Sequence, residues 1–191
     1  DVQIYDTQTR HWTMATSWPD KPVFGHAGGL VGDAMVVCDG VTAAKGSDGK
    51  NHYAITNACW QGLLDPRAVG HIRWKRIAPH PGVPLYRAGA TGATDGAGMS
   101  CVVFAGGTNR PYNYNGVGYD HRPAEPSSAV FAFDPQHGTW TSYAPAPVAG
   151  MDFRGLLTLD GSFALFGGMR ASQQVSDEVI RFDLKPVHGE H

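Results

Sequence analysis

Val2 to Pro19 reads VQIYDTQTRHWTMATSWP: a short apolar strand, a turn from Asp6 to Arg10, and a second strand that carries Trp12 and ends in proline. The same grammar returns, at a spacing of roughly 60 to 66 residues, in Tyr53 to Pro81 (YAITNACWQGLLDPRAVGHIRWKRIAPHP) and Ala129 to Pro147 (AVFAFDPQHGTWTSYAPAP). Between these stretches lie strand pairs that close on glycine: GHAGGLVGDAMVVCDG (Gly25 to Gly40), RAGATGATDGAGMSCVVFAGG (Arg87 to Gly107) and FRGLLTLDGSFALFGG (Phe153 to Gly168). Each unit supplies four short antiparallel strands. One such sheet cannot bury both faces alone, so it stacks on its neighbours around an axis, and the repeat predicts the blades of a β-propeller.

The composition agrees. With 25 Gly, 13 Pro and 42% hydrophobic residues, the chain is built for short strands and tight turns, and no window offers a long amphipathic helical period. The expected class is all-β. No apolar stretch approaches a membrane span, and a net charge of -2 with scattered basic residues gives nucleic acid nothing to grip. Neither is expected as a partner. The chain opens at Asp1 directly into a strand, without a secretory leader, and reads as one that has lost its beginning. Three cysteines cannot all pair with one another. Cys38 and Cys101 fall at nearly equivalent places in apolar strands and read as small core residues, Cys59 is unassigned, and no CxxC or metal spacing occurs. The redox compartment stays open.

The Gly-Gly pair closing the second strand, the aromatic third strand and the Trp six residues after Asp (Asp6 to Trp12, Asp134 to Trp140) resemble the kelch family of β-propellers. In the second repeat Trp74 stands alone after an insertion. The resemblance covers nearly the whole chain and implies the fold rather than a function: the family includes sialic acid mutarotases and epimerases, galactose oxidase and pure protein-binding modules. GGTNRPYNYNGVGYDHRPAEPS (Gly106 to Ser127) also resembles a segment of bacterial kelch proteins called galactose oxidase-like. The resemblance implies a periplasmic or secreted location. A copper-radical oxidase needs a Cys cross-linked to Tyr with Tyr and His ligands; Cys38 and Cys101 lie within apolar strand patterns, so no metal or other cofactor is expected.

The strand pattern counts about thirteen strands: two between Val2 and Ala15, four from Gly25 to Ile77, four from Arg87 to Tyr143 and three from Phe153 to Phe182. Blade parts are expected at 1–19, 22–80, 84–147 and 150–184, followed by a tail at 185–191. Propellers close with about four to eight blades. The chain therefore reads as the C-terminal half of a larger ring, or one of two pieces, whose partner is the remaining blades.

In a four-stranded meander the innermost strand begins on the face where the second strand ends. Three long loops share that face, Val41 to Asn51, Thr108 to Ser127 and Met169 to Ser176, so the binding mouth is expected there. His26, Arg87 and Arg154 open the innermost strands at matching repeat positions and are expected at this mouth. A cationic cluster suits a carboxylate, although arginines here equally suit structural bonds to neighbouring loops. Asp152 is a candidate base or an orienter of Arg154, and Tyr86 a ligand contact or junction packing. On the insert, Asn109, Tyr112, Asn113, Tyr119 and Asp120 mix hydrogen-bonding groups with aromatic faces, as a sugar site requires; a self-packed loop is the alternative. Trp12, Trp74 and Trp140 read as wedges between blades, and Trp60 as part of a far-face insertion from Ala58 to Gly70. The expected function is carbohydrate binding, with cofactor-free isomerisation of an acidic sugar (Arg87 and Arg154 for the carboxylate; His26, Asp152 or Tyr119 for proton transfer) or a non-catalytic protein-interaction module.

Overall fold

The computed structural model describes residues 1–94 and 100–187; residues 95–99 of the expected strand pair Arg87 to Gly107 and residues 188–191 of the expected tail lie outside the described residues. Thirteen strands form the blade pattern. β1 (Gln3–Asp6) and β2 (His11–Met14) make a two-stranded sheet. The next blade runs β3 (Ala27–Val31), β4 (Ala34–Cys38), β7 (Cys59–Leu64) and β8 (Ile72–Ile77), with β5 (Val41–Lys45) and β6 (Asn51–Ile55) as a separate hairpin inserted after β4. The third runs β9 (Gly89–Thr94), β10 (Ser100–Ala105), β11 (Val130–Asp134) and β12 (Thr139–Tyr143), and the fourth β13 (Leu157–Leu159), β14 (Ser162–Phe166) and β15 (Val179–Phe182). All pairings are antiparallel. Among the described residues the only helical segment is a 3-10 turn at Ala171–Gln173.

Period-two alternation drives the stacking. In β10, Val102 and Phe104 join the core shared with the second blade, while Cys101, Val103 and Ala105 join the core shared with the fourth. The central strand is apolar on both faces because both are buried. The Asp that opens each outer turn is explained by turn chemistry: Asp6 Oδ1 accepts the Gln8 and Thr9 amides, and Asp134 Oδ1 the Gln136 and His137 amides. Asp65 Oδ1 takes the Arg67 amide in the same way.

That last bond corrects the reading of the second repeat. Its third strand is not at Tyr53 but at β7, so Trp60 lies within a central blade strand, and Asp65 is the repeat aspartate with a longer turn before Trp74. The insertion is the β5–β6 hairpin at the mouth, where a loop was expected. Trp60 packs near Trp18 and donates Nε1–H to Asp20 Oδ2 at 3.3 Å. Cys59, thereby placed opposite Cys38 in the β4–β7 register, forms a disulfide with it. The unassigned cysteine thus has a partner, and Cys38 is a buried bridge residue rather than only a core filler. Cys101 is buried in β10. The first residues of the expected tail lie against the third blade: the Ala144 amide donates to the Lys185 carbonyl, and Pro186 bridges Tyr143.

Trp140 donates Nε1–H to the Ala78 carbonyl of the preceding blade at 2.9 Å, and Trp74 reaches the Thr16 carbonyl at 3.4 Å. Trp12, in the first sheet, is 65% exposed. Trp140→Phe is expected to lower unfolding stability by about 1 kcal/mol or more, and Trp12→Phe by less than about 0.5 kcal/mol, in urea titrations of this chain. Equal losses would contradict the wedge role.

Candidate functional site

The mouth is organised by hydrogen bonds between successive blades: the Arg87 amide donates to the Gly25 carbonyl and the Phe153 amide to the Arg87 carbonyl. These bonds, with the bridges Phe24–Val41, Tyr86–Thr108 and Met151–Met169, set the true equivalences. Arg87 corresponds to Gly25, not to His26; His26 directly precedes β3, and Arg154 lies three residues before β13. The repeat alignment expected from sequence is one residue out for Arg87. Gly25 and Arg87 share the left-handed region, with φ of 63° and 54°. A Cβ at Gly25 would sit 2.0 Å from the Tyr86 ring, so glycine is required there, whereas Arg87 has room for a side chain. Asp152 is an extra residue in the connection between the third and fourth blades, also left-handed at φ 62°. Non-glycine residues held this way are strained and cluster where function over-determines the backbone.

Despite the shift, His26, Arg87 and Arg154 line one groove of about 630 Å³ along the inner strands, together with Phe153 and Gly155. Asp152 Oδ1 takes Arg87 Nη1 at 2.9 Å and Arg154 Nη1 at 3.0 Å. The side chains of Arg87 and Asp152 are 16% and 20% exposed, that of Arg154 70%. The Arg87 guanidinium lies 4.9 Å from the centroids of both the Tyr86 and Tyr112 rings. Burial is the largest influence on Arg87 and lowers its pKa, but the Asp152 charge together with Tyr86 and Tyr112 outweighs it, so this cation is fixed. A neighbouring groove of about 550 Å³ reaches His26 from the side of Trp18 and Trp74; its charged lining is aspartate, so it lacks the arginine pair.

The remaining candidates divide. Tyr112 is fully buried beneath Arg87, and burial, reinforced by Asp152, pushes its pKa up. It supports Arg87 rather than touching a ligand, which corrects the contact expected of it. Tyr86 is likewise buried and donates its hydroxyl to the Tyr112 carbonyl. Asp120 pairs with Arg110 and accepts the Arg122 amide, both within the insert. Asn109 and Asn113 are exposed on that insert. Tyr119 stacks on Tyr53 of the β5–β6 hairpin at 3.9 Å, joining the two inserts; burial and then Tyr53 raise its pKa, and the Arg87 charge opposes them. His26 lines the groove, where partial desolvation lowers its pKa and the Val23 backbone opposes this. Sequence reasoning missed Tyr53, which no local signal marks, and a buried Asp39–His80 pair, which one signal does: Asp39-Gly40 stands where the other repeats have Gly-Gly.

No family model matches the chain, and no curated protein does. Among solved structures, that of YjhT aligns with a TM-score of 0.67 at 17% identity, covering 96% of this chain and 49% of that one. The fold is a kelch-like propeller. The chain spans about half the length of YjhT, and at this identity the likeness concerns the fold alone.

Proposed function

We propose that the propeller binds an acidic sugar in the groove at His26, Arg87 and Arg154, and that the groove serves a cofactor-free mutarotation or epimerisation. The observation that carries this reading is the single Asp152 oxygen shared by two guanidiniums, one of them 70% exposed. One carboxylate against two fixed cations leaves a net positive charge, and an arginine fork suits a substrate carboxylate. Asp152 orients the arginines. His26, its pKa lowered, is neutral at pH 7 and available as a base; Tyr119, its pKa raised, remains a phenol able to donate. In mutarotation His26 takes the anomeric hydroxyl proton, the ring C–O bond breaks and Tyr119 protonates the ring oxygen. Reclosure from the other face returns both protons.

The test is calorimetric titration with sialic acid and galacturonate, with galactose as the neutral control. Arg154→Ala is expected to weaken acidic-sugar binding about tenfold or more, because a charge-assisted bond is lost, while the melting temperature barely moves, since an exposed arginine adds little to folding. Arg87→Ala removes a half-buried partner of Asp152 and is expected to lower both. Anomer exchange followed by NMR, and slowed in His26→Gln, tests the reaction. A second reading, a protein-interaction module, draws on Tyr114 and Val175, exposed at 77% and 83% on two mouth loops. Failure of every acidic monosaccharide to bind would favour it.

A further inference from the structure

The residue that follows the second strand takes a left-handed backbone in all three described repeats: Asp39 at φ 64°, Gly106 at 70° and Gly167 at 64°. Glycine adopts this conformation freely and aspartate does not, so Asp39 is strained where its counterparts are not. Its side chain accounts for the exception. Asp39 Oδ2 accepts His80 Nε2–H at 2.7 Å and the Leu85 amide at 2.7 Å, and both side chains are almost wholly buried. His80 Nδ1 faces the Pro81 carbonyl at 2.8 Å, so both ring nitrogens meet acceptors and the ring is suited to the doubly protonated form. The imidazole stacks on Phe131 at 4.1 Å and meets Trp140 edge-on.

What this carboxylate grips is the connection between the second and third blades, and Leu85, Tyr86 and Arg87 are consecutive in it. The equivalent glycines offer no side chain to their own connections. We propose that Asp39 and His80 form a latch that positions Arg87 at the mouth, holding its backbone in the left-handed turn that aims the guanidinium at Asp152. The bearing of the latch on ligand capture rests on the acidic-sugar reading above; the latch itself does not.

Burial lowers the His80 pKa, but the hydrogen bond and charge of Asp39, with the Pro81 carbonyl, raise it overall. Among the described residues Asp39 is the charged group acting on the ring, and the Phe131 and Trp140 faces packed on it carry none. A raised histidine pKa means the latch is fully engaged below the unfolded value of about 6.5 and loosens as pH rises through the folded value.

The experiment labels the arginines with phenylglyoxal and reads Arg87 against Arg154 by peptide mass spectrometry, so that reagent chemistry cancels in the ratio. The wild-type ratio is expected to be low near pH 6 and to climb on the alkaline side. Asp39→Gly restores the repeat's own residue and relieves the backbone, yet is expected to raise the ratio about tenfold, as a lost charge-assisted bond allows local opening. Asp39→Asn, which keeps the acceptor and the volume, should fall between, and His80→Gln should flatten the pH profile. If Asp39→Gly does not fold, the Asp39→Asn ratio decides. An Arg87 ratio unchanged in the folded variants, or flat with pH in the wild type, overturns the latch. Increased labelling with undiminished acidic-sugar affinity keeps the latch and overturns instead the role of Arg87 in binding.

Discussion

Reducing the Cys38–Cys59 disulfide, or replacing Cys59 by Ala, is expected to lower the unfolding free energy by about 3 kcal/mol. The bridge spans a sequence separation of 21, and constraining a loop of that size in the unfolded chain accounts for most of this figure. Within that loop lies the whole β5–β6 hairpin, so the unlinked chain regains its freedom where the mouth needs order. The bridge also joins directly paired residues of β4 and β7, next to Asp39, whose amide donates to the Ala58 carbonyl. Loss of the disulfide should therefore loosen the latch as well as the blade. Urea titrations with and without dithiothreitol measure the effect. Cys101→Ala, a change at an equally buried position outside the bridge, is the control and should cost clearly less. Equal losses, or no response to reductant, would remove the disulfide from the account of stability. Because such bonds persist in oxidising compartments, correct folding is expected in the periplasm or on secretion, with poor yield in a reducing cytoplasm.

Phe104→Ala is expected to cost about 3–5 kcal/mol. The ring is buried in the core between the second and third blades, stacked on Phe131 at 5.4 Å and tilted against Trp140 at 5.8 Å. Removing it opens a cavity between two stiff sheets that cannot collapse into the space, and it takes from Phe131 the ring stacked on it. Leu157→Ala, at an exposed site on β13, should change stability by less than about 0.5 kcal/mol. A loss below about 1 kcal/mol at Phe104 would mean that the blades do not share a tight core.

Much of the blade grammar was legible because it is local chemistry. Asp6 and Asp134 announce outer turns since a carboxylate two or three residues before a free amide makes the turn by itself, and β10 announces a central strand by being apolar on both faces from Cys101 to Ala105. The second repeat was misread because Tyr53 and Cys59 head equally plausible third strands, YAITNA and CWQGLL, and nothing in either tells which pairs with β4.

The amino-acid sequence by itself determined the all-β class and the four-part blade pattern, because periodicity, glycine turns and the Asp-to-Trp spacing act within a few residues of one another. Tertiary structure alone decided the Cys38–Cys59 bond, the one-residue offset that matches Arg87 to Gly25, the Asp152 oxygen shared by two arginines, the Tyr53–Tyr119 stack and the Asp39–His80 latch. Each of these depends on which residues of distant segments come opposite one another. A shift of one residue turns a side chain to the other face, so residue identity cannot settle register, and only the packed blades do.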